Sequence, residues 1–318
     1  MSKKTGLTKE QLEMRKKMVT ATDIGTIFGI NKYKSPLTLW LEKTGRIEPE
    51  PVGEAARVGI EKEPQVAAAY KKRHRGVRLE KTGTHLKEEY YGATPERISH
   101  GKGDPCRLEC KTSSLANAWR GGDYPDMFHL QVMWQMFVMD MQRADIFADL
   151  GSRYELRRVD RDEEQVNLCR EAADRFWWHV KKDTAPEALG LEDDLKGLKL
   201  WFPEDAGFEM DASEKGDFLL VERREFKVAE KEAKAEGVRV EAEIKKLMGE
   251  ASVLKSEVGR ATWKKSKGRT TFDSKAAFDS LKDALLDKGL FPEMESAIKK
   301  IEEENRKETE GSRRFTAT

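Results

Sequence analysis

Ser99-His100-Gly101-Lys102-Gly103-Asp104-Pro105-Cys106-Arg107-Leu108-Glu109-Cys110-Lys111-Thr112 is the stretch on which the fold turns. Its first half is rich in turn formers, and Gly103-Asp104-Pro105 favours chain reversal. Beyond it Leu108 and Cys110 alternate with Glu109 and Lys111, the period of a half-buried strand. On such a strand Glu109 and Lys111, two residues apart, face the same way. Before the turn, Ala93-Thr94-Pro95-Glu96 carries another carboxylate. Pairing of the two arms as a hairpin would bring Glu96 and Glu109 together. Two carboxylates and a strand carbonyl suit Mg²⁺ or Mn²⁺, which keep water and phosphate oxygens as their other ligands. Lys111 beside them would orient or deprotonate a water and steady charge on a phosphate. Asp104 is an alternative ligand, less favoured than Glu96 because it sits in the turn. Alone, Glu-x-Lys describes equally well a solvated strand edge with a salt bridge.

The flanking pattern sets this strand in an α/β core spanning about 1–190. Upstream, residues 9–29 read as a charged helix and then a second helix with Thr22 or Asp23 as N-cap and Ile24, Ile27 and Phe28 buried. Ser35-Pro36 opens another helix, and residues 56–74 form a further one with Val58, Val66, Ala69 and Tyr70 at helical spacing. Residues 124–141 are apolar nearly all round, as a helix at the centre of a domain should be. Phe147 to Leu150 and Tyr154 to Val159 read as strands, and Asp162 to Lys181 as a long helix. Beyond about 200 the chain becomes mainly helical. Val240, Ile244, Leu247, Ala251, Leu254 and Val258 form a heptad-like seam within a helix over 222–258, followed by helices over Ser274 to Asp287 and from Pro292 to about Glu310.

Composition narrows the function classes. The 318 residues carry a formal net charge of +1 although 37% are charged, so a DNA-binding face would have to come from local sorting of Lys and Arg. Cys106, Cys110 and Cys169 make neither a disulfide framework nor an iron–sulfur cluster and read as reduced, partly buried thiols. The start Met-Ser-Lys-Lys-Thr has no apolar run after it, and no stretch reaches the ~18 apolar residues of a membrane span. A soluble, intracellular protein is expected. The five histidines lack zinc spacing, and His129 reads as a hydrogen-bonded core residue. Trp177-Trp178 reads as core, and Lys71-Lys72-Arg73-His74-Arg75 as a solvated helix end. Lys264, Lys265, Lys267 and Arg269, a basic turn beside Trp263, are DNA-contact candidates.

Pro95-Glu96 followed by Glu109-x-Lys111 resembles the PD-(D/E)-x-K nuclease motif. Its surroundings are similar to those of the YqaJ-like phage recombinases, relatives of lambda exonuclease. Gly59-x-x-x-Glu63-Pro64 matches a helix upstream of the core, and Phe128-x-x-Gln131 matches a Tyr-x-x-Gln helix with Phe for Tyr. Arg15 with Thr20-Ala21-Thr22 resembles the family's Arg…Thr-Ala-Ser segment. Tyr33-Lys34-Ser35-Pro36-Leu37, Leu41-Glu42-Lys43-Thr44-Gly45, Arg161-Asp162 and Phe176-Trp177 through Pro186 extend the similarity over about 15–186.

The resemblance implies a restriction-endonuclease-like α/β core, a mixed central sheet flanked by helices, over 1–200, with a mainly helical extension over 201–318. It implies a Mg²⁺- or Mn²⁺-dependent deoxyribonuclease that degrades one strand of linear duplex from the 5′ end. Glu96 and Glu109 would hold metal, with Glu63 close by and its contact direct or indirect. Lys111 would serve the nucleophilic water, and Gln131 would contact substrate or that lysine. Arg15 and Thr22, with Thr94 nearby, would line a 5′-phosphate pocket. A ring-like oligomer (a trimer by analogy), a RecT-like single-strand annealing partner and a phage or prophage protein in the bacterial cytoplasm are further implications. A non-catalytic DNA-end-binding scaffold and an endonuclease on the same core are the alternatives. One departure stands out: where the family has Asp, usually followed by Gly, this chain has Glu96-Arg97. Glu is one methylene longer, and about 1 Å of misplacement can be costly at a reacting centre.

Overall fold

A computed structural model describes residues 9–101, 103–114, 116–265, 274–287 and 291–304. Its contacts cluster into two compact units, Met1–Pro203 and Glu204–Thr318.

The first unit is built on a five-stranded sheet. Its strands β1 (Arg78–Lys81), β4 (Arg97–His100), β5 (Cys106–Thr112), β6 (Arg143–Asp149) and β7 (Tyr154–Asp160) lie side by side in that order. β4 and β5 pair as the antiparallel hairpin expected around Gly103-Asp104, with Arg97 opposite Leu108. β5 and β6 are parallel, and the remaining pairs are antiparallel. The sheet is therefore mixed, and the connection between its parallel strands runs through the helix α5 (Asp126–Val138). A two-stranded ribbon, β2 (His85–Lys87) with β3 (Tyr91–Ala93), accompanies it.

Period-two alternation gives the sheet two different faces. Leu108, Cys110 and Phe147 pack with Val66, Ala67 and Tyr70 of α4 (Glu54–Arg73). Ala144, Ile146 and Ala148 pack with Val132, Met133 and Met136 of α5 and with Trp119. On its far side α5 meets α2 (Ala21–Ile27) and α6 (Glu163–Lys182), while α3 (Pro36–Lys43) packs on α6 and α7 (Glu192–Trp201). Every residue from Gln131 to Val138 is buried, as the all-round apolar pattern demands. Two of these eight are glutamines. A buried amide without a partner costs ~1–3 kcal/mol, so Gln131 and Gln135 must be held by something polar on the sheet.

Some local details differ from expectation and others agree with it. The N-cap of α2 is Thr20, two residues before Thr22, because Asp23 at the third helical position accepts the Thr20 N–H at 2.8 Å. The first Thr of the run, immediately before the helix, is the one whose N–H that carboxylate reaches. Gly92 in β3 is required by close approach: a Cβ there would run into Met18 Sδ, where Val19 bridges to Tyr91. Val58 lies at the exposed end of α4, whereas Val66 and Tyr70 are buried. His129 bonds to the Tyr124 hydroxyl and to Gln165, and Trp177 is buried against Tyr90. Lys71, Lys72, Arg73 and Arg75 are exposed.

The second unit contains the 35-residue helix α8 (Glu214–Met248), a hairpin of β8 (Val253–Ser256) and β9 (Gly259–Thr262), and helices α9 (Ser274–Asp287) and α10 (Phe291–Glu304). The expected helix over 222–258 is corrected here. The backbone turns at Gly249, whose φ is +52°, and the apolar repeat runs on past the helix by coincidence of spacing. Leu254 lies in β8, and Val258 sits in the hairpin turn, 98% exposed. A seam of six thus reduces to Val240, Ile244 and Leu247 on α8. Lys264 and Lys265 follow β9 and are exposed, whereas Lys267, Arg269 and the tail beyond 304 lie outside the described residues. No described helix is long and apolar enough to cross a membrane.

Candidate active site

Arg107, Glu109 and Lys111 occupy alternate positions of β5 and so share the sheet face covered by α5. Glu109 is 1% exposed, and four donors converge on its carboxylate. Lys111 Nζ and Gln131 Nε2 each donate to Oε1 at 2.7 Å. Gln135 Nε2 donates to Oε2 at 3.1 Å, and Arg107, itself fully buried, donates to the same oxygen. Two carboxylate oxygens offer about four acceptor directions, and these donors fill them. Burial alone would raise the Glu109 pKa, but Lys111 and Arg107 outweigh it and hold the carboxyl below its ordinary range.

The amide N–H groups of Gln131 and Gln135, one helical turn apart on α5, thereby find their partner in Glu109, while Gln135 Oε1 is buried without one. Gln131 does double duty, since its Oε1 also accepts from Lys111 Nζ at 3.0 Å. Lys111 Nζ lies 4.6 Å from the centre of the Phe128 ring, so the aromatic of Phe128-x-x-Gln131 backs the same ammonium. The lysine is thus oriented by a carboxylate, an amide and a ring.

Glu96 stands one step beyond the last paired residues of the hairpin, opposite Glu109 in register. Its Oε2 accepts the Cys110 N–H at 2.9 Å, replacing the strand partner that β4 no longer supplies there. Burial, with Glu109 alongside, pushes its carboxyl up to about 7 against the pull of Lys111 and Arg107. A carboxylate oxygen of Glu96, one of Glu63 and Cys110 Sγ all lie within 4.8 Å of one another. Glu63 reaches this place from α4, where Arg97 grips both its oxygens at 2.6 and 2.9 Å. Asp104 is elsewhere: it lines a polar cleft with Tyr70, Ser99, Arg143 and Asp145.

The carboxylate oxygens of Glu96 and Glu63 are donors that suit a hard divalent cation, whereas the buried Cys110 thiol is a soft one. Glu96 carries no ion pair with a basic side chain among the described salt bridges, and its raised pKa means that its negative charge lacks full compensation. A divalent cation supplies such compensation.

Arg15 and Thr22 also come together. Arg15 Nη2 donates to Thr22 Oγ1 at 2.7 Å and to Thr20 Oγ1 at 3.3 Å, and the two hydroxyls are 3.0 Å apart. Buried Lys43 fixes this segment by donating to the carbonyls of Arg15 and Met18 and to Asp23 Oδ2, at 2.6, 2.8 and 2.7 Å. Burial opposes the charge on Asp23, but Lys43 and Arg15 hold its carboxyl below the usual range. Thr94 Oγ1 is bonded to Thr84 Oγ1 at 3.1 Å, across the ribbon.

Arg107, Gln135 and Lys43 were not singled out from the sequence. For the first two a signal existed, in Arg-x-Glu-x-Lys on a strand and Gln-x-x-x-Gln on one helix face. Lys43 stood in the sequence only as part of Leu41-Glu42-Lys43-Thr44-Gly45, because its acceptors, two main-chain carbonyls and Asp23, are brought near only by folding.

With this geometry established, the chain can be set beside known proteins. Residues 10–142 match the YqaJ-like viral recombinase domain. YqaJ of Bacillus subtilis (strain 168) is 31% identical over 177 residues, which cover 53% of this chain and 54% of that protein. The chain therefore spans about half the length of the curated relative it matches. Similar solved structures include an alkaline exonuclease (LHK-Exo) from Laribacter hongkongensis, 18% identical, covering 55% of this chain and 94% of that one with a TM-score of 0.46. LHK-Exo in complex with dAMP matches at 19% identity over the same shares, with a TM-score of 0.48. A phage related exonuclease from Haemophilus somnus 129PT is 13% identical, covering 52% of this chain and 96% of that one with a TM-score of 0.40. Over residues 10–142, therefore, the chain is similar to the YqaJ-like viral recombinase domain.

Proposed function

We propose that the protein is a metal-dependent DNA exonuclease that degrades one strand of linear duplex from its 5′ end and leaves a 3′ single strand. The observation that carries this is the convergence of Lys111 and Gln131 on Glu109, with the carboxylate of Glu96 beside them. Glu96 and Glu109 would hold Mg²⁺ or Mn²⁺. When bound, the cation would supply positive charge to the scissile phosphate.

The protein's own part is positioning. Glu109 and Gln131 point the Lys111 ammonium, which orients the attacking water and steadies the charge growing on phosphate oxygens. Arg107 keeps Glu109 ionised in its buried place, and a cation at Glu109 would take over one of the acceptor directions that its donors now fill. Arg15, Thr20 and Thr22 offer a guanidinium and two hydroxyls to a 5′-phosphate, on a segment stiffened by Lys43. Thr94 is assigned to the rim of that pocket by resemblance. Lys264 and Lys265 offer exposed charge to the duplex. A RecT-like annealing protein is the proposed recipient of the 3′ strand. A ring-like homo-oligomer, a trimer by analogy, and action in the cytoplasm of a bacterium carrying a phage or prophage complete the proposal.

The test uses linear and covalently closed circular duplex with Mg²⁺, Mn²⁺ or EDTA. Metal-dependent loss of linear DNA alone is expected, with 5′-labelled ends released first. Cutting of circles would replace the exonuclease by an endonuclease, and a gel shift without products would leave only a DNA-end-binding scaffold.

A further inference from the structure

We propose that Arg97 withholds Glu63 from the metal centre, so that this chain binds fewer divalent cations than its three neighbouring carboxylates would hold; the proposal rests on the metal-dependent reading above. Distance does not keep Glu63 out, because one of its oxygens lies within 4.8 Å of an oxygen of Glu96 and of Cys110 Sγ. The pairing does. Arg97 Nε and Nη2 take Oε1 and Oε2 separately, at 2.6 and 2.9 Å, in the two-pronged geometry that makes guanidinium–carboxylate pairs strong.

Both partners are anchored and shielded. The Arg97 and Glu63 side chains are 11% and 18% exposed, so solvent screens the pair weakly. Arg97 is the first residue of β4, opposite Leu108, and its carbonyl accepts from buried Arg107 at 2.8 Å. A cation seeking Glu63 would have to displace a guanidinium whose backbone is held in the sheet, and would then be repelled by it at close range.

Charge counting points the same way. Arg97 offsets Glu63, Arg107 and Lys111 offset Glu109, and Glu96 has no basic partner among the described salt bridges. Removing Arg97 leaves one uncompensated carboxylate within reach of Glu96. The resembled pattern usually has Gly at this position, a residue with no side chain to form such a pair. Arg97 is thus a residue that determines metal occupancy without touching substrate.

Mn²⁺ binding to the EDTA-stripped full-length chain decides the matter, counted by electron paramagnetic resonance and calorimetry. Arg97→Ala is expected to gain a Mn²⁺ equivalent or to bind Mn²⁺ about tenfold tighter, and Arg97→Ala/Glu63→Gln to lose that gain. That double variant removes both charges of the pair and should stay within about threefold of the wild type in Mn²⁺ affinity, far short of the effect of removing a ligand or its close support. Unchanged stoichiometry and affinity in Arg97→Ala would overturn the proposal, as would a tenfold loss in the double variant. Circular dichroism checks that each variant folds, and if Arg97→Ala does not, Arg97→Gln, which removes the charge and keeps a polar side chain, takes its place with the same outcomes. Mn²⁺ bound by the wild type but unaltered by Arg97→Ala removes only this role of Arg97. No Mn²⁺ bound by either protein would remove the metal-dependent nuclease as well.

Discussion

Replacing Glu96 with Gln should make the metal-free protein more stable and abolish the metal-dependent DNA cleavage proposed above. Burial, and then the charge of Glu109, moves the Glu96 carboxyl from 4.5 to about 7. In the unfolded chain the same group ionises near 4.5, so folding favours its protonated form. The sign follows: stability from this group is fully present below pH 4.5 and is lost as pH rises through 7. The full loss corresponds to about 3 kcal/mol at pH 8 and to less than about 1 kcal/mol at pH 5. Gln has the same shape and its oxygen can accept the Cys110 N–H, but it carries no charge. In a unit of about 200 residues each kcal/mol moves Tm by ~2–4 °C, so Glu96→Gln should melt ~6–12 °C higher at pH 8 in EDTA. The gap should close as the pH falls to 5. Mn²⁺ should then stabilise the wild type and not the variant, shrinking or reversing the difference. Thermal melts from pH 5 to 9, with EDTA or Mn²⁺, measure all of this. A variant no more stable than the wild type at pH 8 in EDTA, or a gap independent of pH, would show that Glu96 does not carry the strained charge assigned to it.

Three further outcomes are expected. Gln131→Ala removes the amide between Lys111 Nζ and Glu109 Oε1, and should lower kcat about 10–100-fold with little change in KM; an unaltered kcat would deny Gln131 its positioning role. Arg107→Met strips a fully buried cation from a carboxylate that is 1% exposed, and should cost about 3–5 kcal/mol in urea denaturation. A midpoint within error of the wild type would contradict the ion pair described here. Arg15→Ala should erase the preference for 5′-phosphoryl over 5′-hydroxyl ends in single-turnover cleavage while sparing the residual rate on hydroxyl ends. An undiminished preference would place the phosphate pocket elsewhere.

Much of the fold was legible because its signals are local. The hairpin around Gly103-Asp104, the alternation of β5 and the all-apolar α5 depend on neighbours within one element, and each appears where its period puts it. The same reliance on period misled at α8. Apolar residues spaced by four and three continue from Val240 to Val258, yet Gly249 ends the helix and Val253 to Thr262 pair as strands. Periodicity records which side a residue faces if the helix continues. It carries no information on whether the backbone does continue, and one glycine at φ +52° outweighs three more seam positions.

The site divides along the same line. Glu109 with Lys111 is a spacing of two, and Gln131 with Gln135 a spacing of four, so each pair is readable once its element is known. The connections that turn these pairs into a centre cross between elements: Glu109 to Gln135 over 26 residues, and Arg97 to Glu63 over 34. Arg107 illustrates the difficulty best. An arginine is almost never fully buried unless it is paired, so on a strand its default place is the solvated edge. Glu109, two residues along the same strand, is its partner, and only when α5 closes over β5 does the pair become fully buried. Glu96-Arg97 is the converse case. As a departure from the family pattern it suggested a displaced carboxylate alone. In the folded chain its second residue matters as much as its first: the added carboxylate length is accommodated by the free Cys110 N–H, and the added arginine occupies Glu63. A substitution that looks like a defect in one ligand is therefore a change in how three carboxylates share their counter-charges.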